Sequence, residues 1–182
     1  MLSYQTIRRD VIKQSGDALH QAKKAIFALH RGDMSIGTDH LDQAVRTMKQ
    51  WLSQHKKNTQ MQSEGSFRAA VEEIVEATLL YNFLEGKKLK KITTIPVADD
   101  VFVAGLADVP GELYRYALKM GTEHNADEVR RAQALAEEIV ESLIEFDLTK
   151  HLRNKFDQAK ASLHKIERVV YELQISHTYG RA

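Results

Sequence analysis

Residues 66–86 read SFRAAVEEIVEATLLYNFLEG, and the apolar pattern of this stretch decides the fold class. Its main stripe has the spacing of an α-helix and consists of Phe67, Val71, Ile74, Thr78 and Tyr81. The opposite face is not a normal solvated surface, because it mixes two glutamates with Ala69, Leu80 and Phe83. Such a helix must pack against other parts of the protein on two sides. The stretch therefore predicts a long helix inside an all-helical protein.

The chain on either side of this stretch holds few helix breakers, since its 182 residues include only two prolines and nine glycines. Apolar residues at helical spacing predict five further helices, at about 4–30, 38–52, 98–120, 125–146 and 149–175. We therefore expect an all-α fold, an antiparallel bundle of six to seven long helices that forms one domain over residues 1–182.

Several local signals set the expected ends of these helices. Gly32 and Gly37 break the apolar pattern, so Thr38 is expected to cap the second helix. Asn125, with Glu128 three residues later, resembles a capping box at the start of the fifth helix, whose apolar stripe is expected to end at Phe146. The fourth helix is expected to contain Pro110 as a kink.

Composition excludes several classes of protein. The chain has no cysteine, which rules out disulfides and thiolate metal sites and fits a reducing cytoplasm. It has neither an apolar run long enough to span a membrane nor an export signal at its start, so we expect a cytoplasmic protein without membrane contact. The net charge of +1 means that any nucleic-acid binding must come from local basic patches.

Two pairs of carboxylates are the candidate chemistry. Glu73 and Glu76 lie three residues apart on the third helix, which brings their Cβ atoms to about 5–6 Å. Asp108 and Glu112 lie four residues apart on the fourth helix and face one way if the helix continues through Pro110. Neither of these faces carries a lysine. Carboxylate oxygens from two consecutive helices are suitable ligands for Mg²⁺, with Mn²⁺ as an alternative.

The same four residues also have an ordinary interpretation, namely acidic residues on solvated helix faces. The histidines do not favour a different metal site, because neither Glu-x-x-His nor His-Glu-x-x-His occurs. Basic residues could follow a phosphate backbone, although each alone is usually part of a solvated face. The candidate RNA-binding residues are Lys23, Lys24, His30, Arg31 and Arg115.

Four segments resemble the translin/TRAX family, where TRAX is translin-associated factor X. Residues 105–115, GLADVPGELYR, are similar to the TRAX pattern G-x-A-D-x-x-G-E-L-x-R, with Pro110 in place of a polar residue. Residues 73–77, EIVEA, resemble its E-x-V-E-A helix, and residues 29–31 its L-H-R. Residues 165–173, KIERVVYEL, resemble the family ending K-V-E-x-x-x-Y-x-L. The segments follow one another in the order of the family over nearly the whole chain.

This resemblance implies a helical subunit of a closed oligomer, typically an octamer, that encloses RNA. It also implies Mg²⁺-dependent phosphodiester cleavage by the TRAX-type subunit, whereas translin mainly binds. The catalytic and metal-binding acids of TRAX then fall on Glu73, Glu76 and Asp108, with Glu112 as a fourth acid. We expect a homo-oligomer, with a hetero-oligomer that includes a translin-type partner subunit as the alternative. Leu80 and Phe83, on the second face of their helix, are also expected to need cover from another subunit.

Three functional hypotheses are therefore retained. The first is an Mg²⁺-dependent endoribonuclease that acts on single-stranded or structured RNA. The second is a non-catalytic protein that binds RNA or single-stranded DNA, although acids near phosphate oppose pure binding. The third is a MazG-type nucleotide pyrophosphohydrolase, because residues 72–76 read E-E-x-x-E, but the expected E-x-x-D motif is replaced by Asp108 and Glu112 in D-x-x-x-E order.

Overall fold

The computed structural model describes residues 4–55, 59–90 and 92–179. In these ranges the chain forms six α-helices and no β-strand, which confirms the predicted all-α fold. The helices are α1 Tyr4–Arg31, α2 Met34–Gln54, α3 Gly65–Leu84, α4 Asp99–Thr122, α5 Ala126–Ile144 and α6 Lys150–Tyr179, with a 3₁₀ helix at Thr59–Ser63. No helix among the described residues is long and apolar enough to cross a membrane.

The chain divides into two compact units, Met1–Gly105 and Leu106–Ala182. In the first unit α1 packs against α2 and α3, and α2 also contacts α3. In the second unit α5 packs against α6. Helix α4 begins in the first unit and ends in the second. The assignment of residues 1–182 to a single domain stays a prediction.

The start of α2 differs from the sequence-based expectation. The helix begins at Met34 after Gly32, whose positive φ of 87° ends α1. Thr38 does not cap the helix, because it lies inside it and its hydroxyl donates to the carbonyl oxygen of Met34 at 2.8 Å. Threonine hydroxyls inside helices commonly bond back to the preceding turn, so the threonine gave a misleading signal here.

Gly37 was also expected to break the helix, and this expectation is wrong. It is a buried residue of α2, and a Cβ added there would lie 2.7 Å from Cδ2 of Leu29 on α1. The glycine therefore permits the close approach of α1 and α2.

Helix α3 is buried on most of its circumference. Leu80 and Phe83, which were expected to need cover from another subunit, are buried within this chain. They therefore give no argument for an oligomer. The buried residues of the helix are Phe67, Ala70, Val71, Ile74, Val75, Ala77, Leu79, Leu80 and Phe83.

Helix α4 approaches α3 closely at Gly105. A Cβ at this position would lie 2.7 Å from the backbone oxygen of Glu72 and 2.8 Å from Cβ of Val75. These two residues flank Glu73 in the sequence. The absent side chain therefore lets the first part of α4 pack directly on the acid-bearing turns of α3, within the first unit.

The capping residue at the start of α5 is confirmed. The Asn125 side chain accepts a hydrogen bond from the backbone N–H of Glu128 at 3.3 Å. The other end differs from the prediction, because α5 ends at Ile144 and Phe146 lies beyond it with an exposed side chain. Phe146 therefore does not continue the buried stripe.

Candidate functional site

The first acid pair lies on α3 in the first unit. Glu73 and Glu76 are both half-buried, because neighbouring positions of this helix belong to the core. The Glu73 side chain is 17% exposed, and its Oε2 lies 3.7 Å from Nζ of Lys23 on α1. Lys23 is itself 54% exposed, so the contact lies at the edge of the helix pair. The pair is thus held at a partly covered surface and not on a fully solvated face.

The second acid pair lies on α4 in the second unit. The helix continues through Pro110, so Asp108 and Glu112 share one face as predicted. Proline inside a helix removes one backbone hydrogen bond and usually costs about 3 kcal/mol, which surrounding packing must offset. Pro110 is buried and Gly111 follows it. The backbone between the two acids is thus intrinsically unfavourable for a helix but still helical.

The carboxylates of the second pair contact basic side chains. Asp108 Oδ2 accepts a hydrogen bond from Nζ of Lys155 on α6 at 2.5 Å. Both side chains are largely covered, with 24% of Asp108 and 14% of Lys155 exposed. Glu112 Oε2 lies 3.9 Å from Nη1 of Arg115, one turn along α4. The charge of this pair is thus compensated by residues of its own unit.

The chemistry of these residues suits a hard divalent cation. Glu73, Glu76, Asp108 and Glu112 offer only carboxylate oxygens, which are the preferred protein ligands of Mg²⁺ and Mn²⁺. In the described part of the chain, however, no three His, Asp or Glu side chains are grouped as metal ligands would be. The donor atoms therefore fit the metal, and their assembly around one stays a prediction.

The compensating lysines were not expected from the sequence. Neither acid-bearing face has a lysine of its own, which suggested acids without neutralising partners. Lys23 and Lys155 instead reach these faces from α1 and α6. Lys155 was missed altogether, although its place at the edge of the apolar stripe, three residues after Leu152 and four before Ala159, marks it as partly covered.

The predicted RNA-binding residues differ in exposure. Lys23, Lys24, Arg31 and Arg115 are exposed, whereas His30 is buried in α1 and presents little surface to a phosphate. Three of the exposed residues also contact acids: Lys23 at Glu73, Arg115 at Glu112, and Arg31 at Asp33, where Nε and Oδ2 are 3.0 Å apart. Any phosphate contact at these positions would compete with the ion pairs.

A hydrogen-bonded network in the second unit joins α4 to α5 beside Arg115. The Tyr116 hydroxyl donates to Oε2 of Glu128 at 2.6 Å, and Arg131 donates to the same carboxylate from Nε at 2.9 Å. Burial and this hydrogen bond raise the pKa of Tyr116 to about 12. The hydrogen bonds from Arg131 lower the pKa of Glu128. The network therefore ties the C-terminal half of α4 to the first turns of α5.

Solved structures share the helical fold of this chain. The crystal structure of AfC3PO is similar with a TM-score of 0.86 and 23% identity, over 94% of this chain and 92% of that chain. The structure of an AfC3PO–duplex RNA complex matches with a TM-score of 0.85 and 22% identity. The match covers 96% of this chain and 93% of that chain. The crystal structure of apo-NeC3PO matches with a TM-score of 0.84 and 19% identity. The match covers 93% of this chain and 90% of that chain. These likenesses establish a C3PO-type helical fold.

The family follows from the sequence itself. The model of the Translin family matches residues 6–177, and the chain therefore belongs to the Translin family. This confirms the family that the sequence segments predicted. An uncharacterized protein of Methanocaldococcus jannaschii is 27% identical over an alignment of 165 positions, and the match covers 88% of this chain and 73% of that protein.

Proposed function

We propose that this protein is an Mg²⁺-dependent endoribonuclease of the TRAX type, with Mn²⁺ as an alternative metal. The observation that carries the proposal is the set of four half-buried carboxylates on consecutive helices, Glu73 and Glu76 on α3 and Asp108 and Glu112 on α4. A solvated acidic face would leave these side chains exposed. Membership of the Translin family supports nucleic acid as the ligand, and one similar structure, of AfC3PO, is described as a complex with duplex RNA.

The proposed mechanism divides the work among the residues of the chain. Glu73, Glu76, Asp108 and Glu112 would serve as cation ligands, and a bound divalent cation neutralises phosphate charge and lowers the pKa of water. One of the acids would also orient or deprotonate the attacking water. Arg115, with Lys23, Lys24 and Arg31, would hold the RNA backbone, and His30 would contribute only after a change that exposes it. We propose that this takes place in the cytoplasm.

The protein is further proposed to work as a homo-oligomer, with an octamer as the expected form and a translin-type partner subunit as an alternative. Membership of the Translin family supports association, and each unit exposes large apolar side chains that a second chain would cover. They are Ile12, Phe27, Ile36, Leu118, Ile144, Phe146, Tyr171 and Ile175. Light scattering at micromolar concentration should give a mass well above the 20.7 kDa of one chain.

A second candidate function is RNA or single-stranded DNA binding without cleavage, as in translin. The ion pairs at Glu73 and Asp108 favour this alternative, because acids that are already neutralised by lysines can serve the fold alone. The MazG-type alternative gains no support, since the chain belongs to a different family.

One assay separates the three functions. Equal concentrations of a short single-stranded RNA, a single-stranded DNA of the same sequence and a nucleoside triphosphate are each incubated with the protein and Mg²⁺. The proposed function predicts internal cleavage of the RNA and an intact triphosphate. Binding of RNA or DNA without any product would favour the translin-type alternative, and release of pyrophosphate would favour the MazG type.

A further inference from the structure

The Lys155–Asp108 pair differs from an ordinary surface ion pair. Its two side chains are 14% and 24% exposed, and their charged atoms are 2.5 Å apart. Arg130 and Asp127, in the same unit, form a pair with 52% and 90% exposure. Exposed pairs of that kind contribute little to stability, whereas a covered charge must be compensated by a partner. The Lys155 ammonium therefore balances the negative charge of the Asp108 carboxylate.

The position of the ammonium conflicts with the proposed role of Asp108. A carboxylate oxygen that accepts a hydrogen bond from an ammonium at 2.5 Å has that direction blocked for another cation. Two positive charges at one covered carboxylate would also repel each other strongly, because screening by solvent is weak there. Lysine is suited to leaving such a position, since its charge lies at the end of a flexible four-carbon chain.

We propose that Lys155 occupies the Asp108 carboxylate in place of the divalent cation, and must leave it before Asp108 can act as a metal ligand. The inference rests on the proposed function. Under this proposal, a divalent cation that binds Asp108 takes the place of the Lys155 ammonium. Lys155 thereby keeps the half-buried acid compensated when no metal is bound, at the cost of weaker metal binding.

The first test measures Mn²⁺ affinity from the electron paramagnetic resonance signal of free Mn²⁺, using the full chain without RNA. Lys155→Met removes the competing ammonium and keeps an unbranched side chain, so it should tighten Mn²⁺ binding about five- to tenfold. Arg153→Met is the matched control, because it removes one positive charge from the same helix at an exposed pair with Asp157. The control should stay within about twofold of the wild type.

The second test uses the wild-type protein and does not depend on how the variant folds. Acetic anhydride labels lysines according to their accessibility, and mass spectrometry reports the extent at each position. Lys155 should label several-fold faster when Mn²⁺ is saturating than when it is absent. Lys160, an exposed lysine of the same helix, is the internal control and should not change.

The outcomes separate this inference from the proposed function. If the wild type binds Mn²⁺ and cleaves RNA, but Lys155→Met binds Mn²⁺ no more tightly or labelling of Lys155 does not rise, the exchange is wrong and the nuclease proposal stands. If neither the wild type nor Lys155→Met binds Mn²⁺, both ideas are wrong. Tighter binding by the variant together with faster labelling of the wild type supports the exchange.

Discussion

The two acid pairs have the same kind of sequence pattern but different surroundings. On α3, Glu73 is approached at 3.7 Å by Lys23, whose side chain is mostly in solvent. On α4, Asp108 is bonded at 2.5 Å to Lys155, which is largely covered. The first contact is weakened by water and salt, whereas the second is screened much less. A cation that binds Asp108 must therefore displace an ammonium that is held more firmly than the one beside Glu73.

The local backbones of the two pairs also differ. Helix α3 has no proline or internal glycine between its acids, and packs against Gly105 of α4 within the first unit. Helix α4 carries Pro110 and Gly111 between Asp108 and Glu112. The first pair therefore depends on close helix packing, and the second on contacts that hold an unfavourable helical segment in place. This difference determines which substitutions should affect chemistry and which should affect stability.

The largest expected effect is on catalysis at the second pair. Asp108→Asn removes a proposed metal ligand and one negative charge near the phosphate, so RNA cleavage should fall on the order of 100-fold or more. RNA affinity should stay unchanged or become tighter. Rates from single-turnover cleavage and affinities from fluorescence anisotropy, measured on the same preparation, test both expectations.

Glu76→Gln is the corresponding substitution at the first pair and should have the same effect on cleavage. Thermal midpoints of both variants serve as the control, because an acid that only stabilises the fold would lower the midpoint and leave the activity per folded molecule intact. That outcome would remove the residue concerned from the active site.

The next effect concerns the packing that supports the first pair. Gly105→Ala places a methyl group 2.7 Å from the backbone oxygen of Glu72, so it should lower the free energy of unfolding by about 1–3 kcal/mol. Gly16→Ala in α1 is the matched control, since nothing other than its chain neighbours and its own helix backbone lies within 4 Å of an added Cβ. The control should raise stability by about 0.5–1 kcal/mol. Urea unfolding of both variants checks this, and similar effects would argue against the close approach.

A smaller effect is expected for RNA binding beside the second pair. Arg115→Ala should weaken RNA affinity less than tenfold and lower the slope of log affinity against log salt by up to about one phosphate contact. Cleavage at saturating RNA should be nearly unchanged. Anisotropy titrations at several salt concentrations measure the slope, and an unaltered slope would mean that Arg115 serves only Glu112, which it contacts at 3.9 Å.

The smallest effect is expected at the network that ties α4 to α5. Tyr116→Phe removes the hydrogen bond to Glu128 and should lower stability by about 1 kcal/mol at neutral pH. Because the pKa of Tyr116 is raised from 10.0 to about 12 in the folded protein, its contribution is complete below pH 10 and is lost as the pH rises through 12. Unfolding curves from pH 8 to 12 should therefore converge for wild type and variant. A constant difference would contradict this.

The sequence predicted the helices well where apolar spacing and capping residues agreed. Asn125 caps α5 as expected, because capping is a local interaction over three residues. The role of Gly37 depends on a contact with another helix, which the local sequence does not contain, whereas Thr38 was wrongly expected to cap because threonine can bond locally both at a helix start and inside a helix. Gly37 accommodates Leu29 of another helix, and Thr38 simply bonds to the turn before it.

The candidate site was only partly predictable for a similar reason. The spacing of Glu73 and Glu76, and of Asp108 and Glu112, follows from helix geometry alone, so the shared faces could be inferred. Lys155 is 47 positions from Asp108 along the chain, and only tertiary packing joins them. Sequence patterns therefore found the acids but not the residue that compensates Asp108.

The central claim, that these acids hold a metal that cuts RNA, is tested most directly by the metal dependence of cleavage. The rate on a short single-stranded RNA is measured with the wild-type protein in Mg²⁺, in Ca²⁺ and in EDTA. We expect cleavage in Mg²⁺, little in Ca²⁺ because it is the weaker Lewis acid, and none in EDTA. Equal rates in Mg²⁺ and EDTA would contradict the claim.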